Sequence, residues 1–166
     1  EHEYICTDGG IYRWDEGNVT VSIDARNFEK AAQSALATGK KEELCHACSL
    51  YYGEFLSQMT GEKWVNVIGV KYQELYFKCL RLASRLLKAD REYDRLLNLS
   101  TAASKLYPYE ECQMMKLDCL IALKRYQEAM EVYKQVVVQY FEEQGLPPSE
   151  TMLQRFRLMS GQIRYT

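Results

Sequence analysis

The strongest constraint on the fold of this chain is an internal repeat. "KADREYDRLLNLSTAASKLYP" (88–108) lies over "IALKRYQEAMEVYKQVVVQYF" (121–141). Tyr93 matches Tyr126, 33 residues on, and the same offset pairs Leu87 with Leu120, Ala89 with Ala122, Leu97 with Met130, Ala103 with Val136 and Tyr107 with Tyr140. Apolar residues inside each unit recur at helical steps. A unit of this size cannot bury its apolar face alone, so neighbouring units must stack.

Helical periodicity extends in both directions from the repeat. Asp24 offers an N-cap to "ARNFEKAAQSALATG", which Gly39 ends. "KKEELCHACSLYYG" is a second, shorter helix, and "EFLSQMTGEKW" an irregular link. The longest helix runs from Trp64 to about Lys88, with Tyr72, Tyr76, Cys79, Leu80, Ala83, Leu86 and Leu87 at three- and four-residue steps. Helices over about 92–106, 110–123, 125–143 and 150–162 follow. Pro108 breaks the first pair of these; Gly145 and the cap Ser149 separate the last. The expected fold class is therefore all-α, a helical repeat of about seven helices. A period near 34 with a helix-turn-helix in each unit is the tetratricopeptide signature. Pro108 and Ala129 hold positions that suit it. Leu96 and Leu117 stand where small residues are usual, which predicts looser or differently angled packing.

Before Asp24 the pattern changes. In "YICTDGGIYRWD" (4–15), Tyr4, Cys6, Ile11, Tyr12 and Trp14 flank the turn signal "TDGG", which predicts a β-hairpin. "NVTVSI" (18–23) alternates as a further short strand. A two-stranded hairpin is marginal alone in water, so Ile11, Tyr12 or Trp14 is expected to pack on the helices.

The net charge of −2 on 166 residues gives no bulk attraction to nucleic acid. Six cysteines are present. Cys48, Cys79, Cys112 and Cys119 fall at helical apolar positions, where a thiol acts as a small core hydrophobe, and a reducing, cytoplasmic setting is expected. The chain opens on Glu1, which reads as the start of a fragment. The runs "VNVIGV" and "VVVQYF" are far short of the roughly 18 apolar residues of a membrane span, so no membrane partner is expected.

Candidate chemistry is sparse. Cys45 and Cys48 in "CHAC" have C-x-x-C spacing but no second ligand pair, and a strand-helix-strand context for redox chemistry is missing. No metal and no cofactor is expected, although a thiol–metal sensor at Cys45 and Cys48 stays an alternative. There is no Walker A loop, G-x-S-x-G or H-E-x-x-H motif, so no catalytic residues are assigned. The pairs Glu42/Glu43, Glu110/Glu111 and Glu142/Glu143 fall on helix faces or ends, as dipole partners do. Lys71, Lys78, Arg81, Arg85 and Lys88 form a cationic stripe on the long helix, largely opposite its apolar one. The expected ligand or partner groove is lined by Lys78, Arg81, Arg85 and Lys88, with Tyr109 and Met114 as apolar neighbours, and would take carboxylate or phosphate groups. The competing reading is a solvated face paired with Glu74 and its neighbours.

Several blocks, in order, carry a family resemblance: "DARNFEKAAQSAL", "YYGEFLSQM" with "KWV", "REYDRLLNLSTAASKLYPYEE", "KRYQEAMEVYKQV" and "FEEQGLPPSETMLQRF". The stretch from about Asp24 to Ser160 resembles the bacterial transcriptional activator domain of antibiotic-pathway regulators of the SARP/AfsR type. The first hairpin, through Thr7, Gly10, Tyr12 and Arg13, resembles the wing of an OmpR-type winged helix. The resemblance implies two parts: 1–23 as the remnant of a winged-helix DNA reader, and 24–166 as the helical activator domain. It implies a non-catalytic regulatory domain serving protein contacts, dimerisation or signal sensing, with Thr7 and Arg13 near DNA. Implied partners are protein, through self-association or the transcription machinery, and DNA through the parent protein's winged helix. A small-molecule or acidic ligand is a further candidate partner. Two alternatives stay open: a free-standing tetratricopeptide-like adaptor for a peptide or small acidic ligand, and a β-ribbon at 1–23 unrelated to DNA.

Overall fold

A 27-residue helix, Lys63–Ala89, organises the chain because one of its faces is apolar along almost its full length. The computed structural model describes residues 5–14, 22–59, 61–138, 145 and 147–163. The elements in order are β1 (Ile5–Asp8), β2 (Ile11–Trp14), α1 (Asp24–Thr38), α2 (Lys41–Ser49), α3 (Lys63–Ala89), α4 (Tyr93–Leu106), α5 (Glu110–Ala122), α6 (Tyr126–Val138) and α7 (Glu150–Ile163). Each helix packs on the next, and α1 also touches α3 as α5 touches α7. Ion pairs Arg81–Glu111 and Lys88–Asp118 join α3 to α5. The result is two rows, with α1, α3, α5 and α7 in one and α2, α4 and α6 in the other. All seven expected helices are present. The predicted extension of α6 past Val138 lies outside the described residues.

The repeat is visible in the turns. After α3, the N–H groups of Asp90, Arg91 and Glu92 donate to the carbonyls of Leu86, Lys88 and Leu87. After α5, those of Leu123, Lys124 and Arg125 donate to Cys119, Ile121 and Leu120, each 33 residues on. Arg91 and Lys124 occupy the same left-handed position, both with φ 58°. This is the Schellman arrangement, which satisfies the last carbonyls of a helix and reverses the chain in two residues.

Three apolar clusters lie along the stack. The first joins α1–α5 around Phe28, Leu44, Tyr76, Leu80 and Ala103. Leu87, Leu96 and Cys119 form a small middle cluster. The last joins α5–α7 around Leu117, Leu120, Val136, Met152 and Met159. Leu96 and Leu117 are fully buried, so the larger side chains at these positions fill the stack. Among the described residues no helix is long and apolar enough to cross a membrane.

Two local expectations change. Asp24 is not the N-cap of α1: that position is Ile23, and Asp24 lies in the first turn, its Oδ1 accepting the Ala25 N–H at 2.7 Å. A carboxylate there still faces the positive end of the helix dipole. Ser149 does cap α7, accepting the Met152 N–H at 3.3 Å. The hairpin forms in antiparallel register, Ile5 opposite Trp14 and Asp8 opposite Ile11. Its central residues are Gly9 and Gly10, at φ 57° and 82°, the positive values a two-residue hairpin loop demands. Ile11 and Tyr12 do not pack on the helices; they are 71% and 77% exposed, so backbone pairing and the two glycines hold the hairpin's shape. The Trp14 side chain and residues 18–21 of the predicted third strand lie outside the described residues. Ser22 and Ile23 are irregular.

Lys124 and Arg91 carry a Cβ where glycine is favoured, at a cost of roughly 1–2 kcal/mol. Lys124 is exposed and makes no side-chain bond among the described residues. Lys124→Gly is therefore expected to stabilise the domain by about 0.5–1 kcal/mol, net of the entropy glycine adds to the unfolded chain. Lys124→Ala, which keeps the Cβ, should not. Urea denaturation of the two variants checks both.

Candidate functional site

The burial of one α3 face leaves a second stripe on the same helix in solvent. Val65, Tyr72, Tyr76, Cys79, Leu80, Ala83 and Leu87 face the core. Trp64, Val67, Lys71, Glu74, Lys78, Arg81 and Arg85, at alternating steps of three and four, are exposed. This outer stripe changes character along its length. Its first turns are apolar: Trp64, Val67 and the adjoining Val70 are 50%, 70% and 55% exposed. Its later turns are charged.

The cations of the stripe have different duties. Arg81 forks onto Glu111 of α5, Nε and Nη2 donating at 2.6 and 2.7 Å, while its guanidinium lies 5.4 Å from the Phe77 ring. Lys88 donates to Asp118 at 3.0 Å, and Asp118 also accepts from Arg155 of α7 at 2.9 Å. Lys71 pairs with Glu29 of α1. Lys78 and Arg85 make no ion pair or side-chain hydrogen bond among the described residues. The partners are thus Glu29, Glu111 and Asp118 on neighbouring helices, not Glu74, and they lace the row α1–α3–α5–α7 together.

An open cleft of about 480 Å³ gathers Lys78, Arg81 and Tyr109 with Gln73, Glu74, Phe77 and Glu111. Its wall is an aromatic stack. Phe77 and Tyr109 lie nearly parallel with centroids 5.9 Å apart, and Tyr107 stacks on Tyr109 at 5.4 Å. Gln73 Nε2 donates to the Tyr109 hydroxyl at 3.1 Å. Beneath, the Tyr51 and Tyr107 hydroxyls share a buried 2.6 Å hydrogen bond. Arg85 and Lys88 lie farther along α3. Met114 is half-buried against the last core cluster and does not line the cleft. Thr7 and Arg13 are exposed on the hairpin, with Arg13 4.0 Å from Asp8.

Sequence reasoning missed the apolar half of this surface. The signal was available, since Trp64 and Val67 are apolar residues at positions that continue a polar stripe. It also missed a groove between α2 and α4 lined by Cys45, Cys48, Asn98 and Lys105. No periodicity marks that groove, because it exists only where two helices from different units meet.

Among the described residues, no group of three or more His, Cys, Asp or Glu is placed to hold a metal ion. Burial pushes the Cys48 thiol up, and raises those of Cys79, Cys112 and Cys119 to about 11. Such thiols stay protonated and inert at neutral pH. Iodoacetamide is therefore expected to modify the partly exposed Cys6 and Cys45 in the native protein, and the other four only in denaturant, as read by mass spectrometry.

A further electrostatic consequence concerns α2. Lys41 is bonded by Asp90 and Glu92, which push its amine up to about 12. Arg95 holds the carboxyl of Glu42 below the usual value of 4.5, while Lys41 and then Arg95 do the same for Glu92. Depressed carboxyl values stabilise the fold above the ordinary glutamate value, and that contribution is lost as pH falls through the folded-state values. The raised lysine contributes below its ordinary value and loses its contribution only as pH climbs toward 12. Stability should thus be flat around neutrality and fall on acidification below about 4.5. A Glu42→Gln/Glu92→Gln variant should show a shallower acid limb in urea midpoints measured against pH.

Against known proteins, the family model of the bacterial transcriptional activator domain matches residues 23–157, which takes in α1–α6 and the first half of α7. No curated protein and no solved structure matches the chain. The ordered repeats, the closing helix capped by Ser149 and the extent of the match agree, and the chain belongs to the bacterial transcriptional activator domain family, a family of regulatory domains.

Proposed function

We propose that this domain is the partner-contact module of a bacterial transcription regulator, acting beside a winged-helix DNA reader without reading bases or catalysing a reaction. The observation that carries this reading is the outer stripe of α3. Contiguous exposed apolar side chains mark contact surfaces, and Trp64, Val67 and Val70 share the outer face of α3 with Lys78 and Arg85, two cations without an ion-pair partner among the described residues. An apolar anchor beside unpaired cations suits an acidic protein surface, whether on the transcription machinery or on a second copy of the regulator.

The hairpin at residues 5–14 is read as the wing of that reader, with Thr7 and Arg13 on its exposed surface facing the phosphate backbone. A net charge of −2 then leaves the present chain with weak, salt-sensitive affinity for DNA at most. The cytoplasm is the compartment this role requires, and the free thiols fit it. The alternative of a free-standing adaptor shares the same surface and differs only in having no DNA reader.

The test uses the full-length regulator. Val67→Glu/Val70→Glu and Lys78→Gln/Arg85→Gln change exposed positions and add no carboxylate within a turn of Arg81 to compete with Glu111. Each pair is expected to lower transcriptional output about tenfold or more, as loss of a contact hot spot does. DNA binding and the far-ultraviolet circular dichroism spectrum should stay unchanged. Wild-type output from both pairs would leave α3 as a solvated face and remove the proposal's support.

A further inference from the structure

The groove between α2 and α4 lies off the outer α3 stripe, and none of its lining residues belongs to that stripe. It has a volume of about 560 Å³, within the range of small-molecule sites. Cys48, Tyr51 and Tyr76, all buried, line its floor. Leu99, Ala102 and Leu106 of α4 line one wall, and Tyr52 and Cys45 stand on the α2 side.

Part of the polar lining of this groove is already hydrogen-bonded within the fold. Ser49 Oγ donates to the His46 carbonyl at 2.7 Å, and the Tyr51 hydroxyl is taken by Tyr107. Arg95 forks onto Glu42 and also binds Glu92, so its charge is matched. Tyr52, Asn98 and Lys105 are exposed, and their side chains make no hydrogen bond or ion pair among the described residues. All three can donate. Among the described residues no carboxylate lines the groove, whereas Glu54 lines the clefts at Tyr72 and at Val70, and Glu74 and Glu111 line the cleft at Phe77.

We infer that the α2–α4 groove is a ligand site for a small amphipathic anion, with an apolar body on Tyr76 and Leu99 and a carboxylate-like or sulfonate-like head at Lys105. An apolar floor removes the ligand's hydrocarbon from water. A single unmatched cation, with the Asn98 amide and Tyr52 phenol beside it, receives the charge. A neutral or cationic molecule of the same shape gains nothing from Lys105. Because α4 and α2 are joined through Arg95 and Glu42, a molecule filling the groove would bridge two units of the stack.

The probe is anilinonaphthalenesulfonate, an aromatic sulfonate that fluoresces in apolar surroundings, titrated into the chain of residues 1–166. Saturable one-to-one binding is expected, weakening as salt rises. Decanoate should displace the probe, and decanol should do so at least about tenfold less well, the worth of one unmatched charge. Lys105→Glu should weaken probe binding about tenfold or more at an exposed position that does not disturb the core. Ala102→Trp, also at an exposed position, should block the groove sterically. Occupancy should slow alkylation of Cys45 but not of Cys6. Val67→Glu is the control and should leave binding unchanged.

The inference is overturned if the probe fails to saturate, if Lys105→Glu binds it as the wild type does, or if Val67→Glu abolishes binding. The last result would place the probe on α3. Equal displacement by decanoate and decanol would overturn the anion specificity, and with it the assignment.

Discussion

Every helix of this domain is one-sided except where a neighbour supplies the missing cover, and α3 supplies most of it. Its inner face, from Val65 through Tyr76 and Leu80 to Leu87, is shared by α1, α2 and α4. α2 has only nine residues, too few to hold a helix in water by itself. It persists because Leu44, Ala47 and Cys48 are pressed against α3 and α1. The Tyr51–Tyr76 stack, with centroids 4.5 Å apart, continues that contact beyond the end of α2. Burial of this face also dictates which α3 residues remain outside, and so decides what the domain shows to partners.

Charge arrangement follows from the same geometry. Helices in a row present their flanks to one another at distances that long side chains span, and here the flanks carry opposite signs. Glu29, Glu111 and Asp118 meet Lys71, Arg81 and Lys88. Exposed pairs of this kind contribute little apiece. Their value lies in register: a slide of α5 by one turn along α3 would bring Lys88 opposite Met114 or Ala122 in place of Asp118. Lys71, Arg81, Lys88 and Arg155 are committed to such contacts, whereas Lys78, Arg85 and Lys105 have no ion-pair partner among the described residues.

The helices were legible because their signals are local. The glycine at 39, the break at Pro108 and the cap at Ser149 each act within a few residues of where they are read, and the 33-residue offset repeats one set of local helix signals in a second unit. The left-handed Arg91 and Lys124 were not legible, because neither is glycine and the turn is imposed by packing on both sides. The hairpin's glycines were readable; the cover expected for Ile11, Tyr12 or Trp14 was an argument from stability alone, and it does not fall on Ile11 or Tyr12. For the candidate site, the residue types on α3 could be read from spacing, whereas their partners could not. Whether Arg81 is free or forked onto Glu111 depends on how two helices 30 residues apart are placed. Met114, expected beside Tyr109 as an apolar neighbour of the groove, packs against the last apolar cluster instead. The α2–α4 groove belongs to no single segment, so no pattern within a segment announces it.

The position of α5 has a consequence for how the domain comes apart. Cys112 and Met115 belong to the first apolar cluster, Cys119 to the middle one, and Leu117 and Leu120 to the last, so this single helix is a wall of all three. Its sequence is apolar around most of its circumference for that reason, unlike the one-sided helices beside it. In a stacked array, units open from the ends inward, and opening energies rise toward the middle. Helices α6 and α7 can detach as a pair while α1–α4 stay closed. Detaching α5 exposes apolar surface on both sides of the stack at once. Hydrogen exchange in α5 must then report the opening of the whole domain, and the last two helices form an outer cooperative unit whose separation leaves the α2–α4 groove intact.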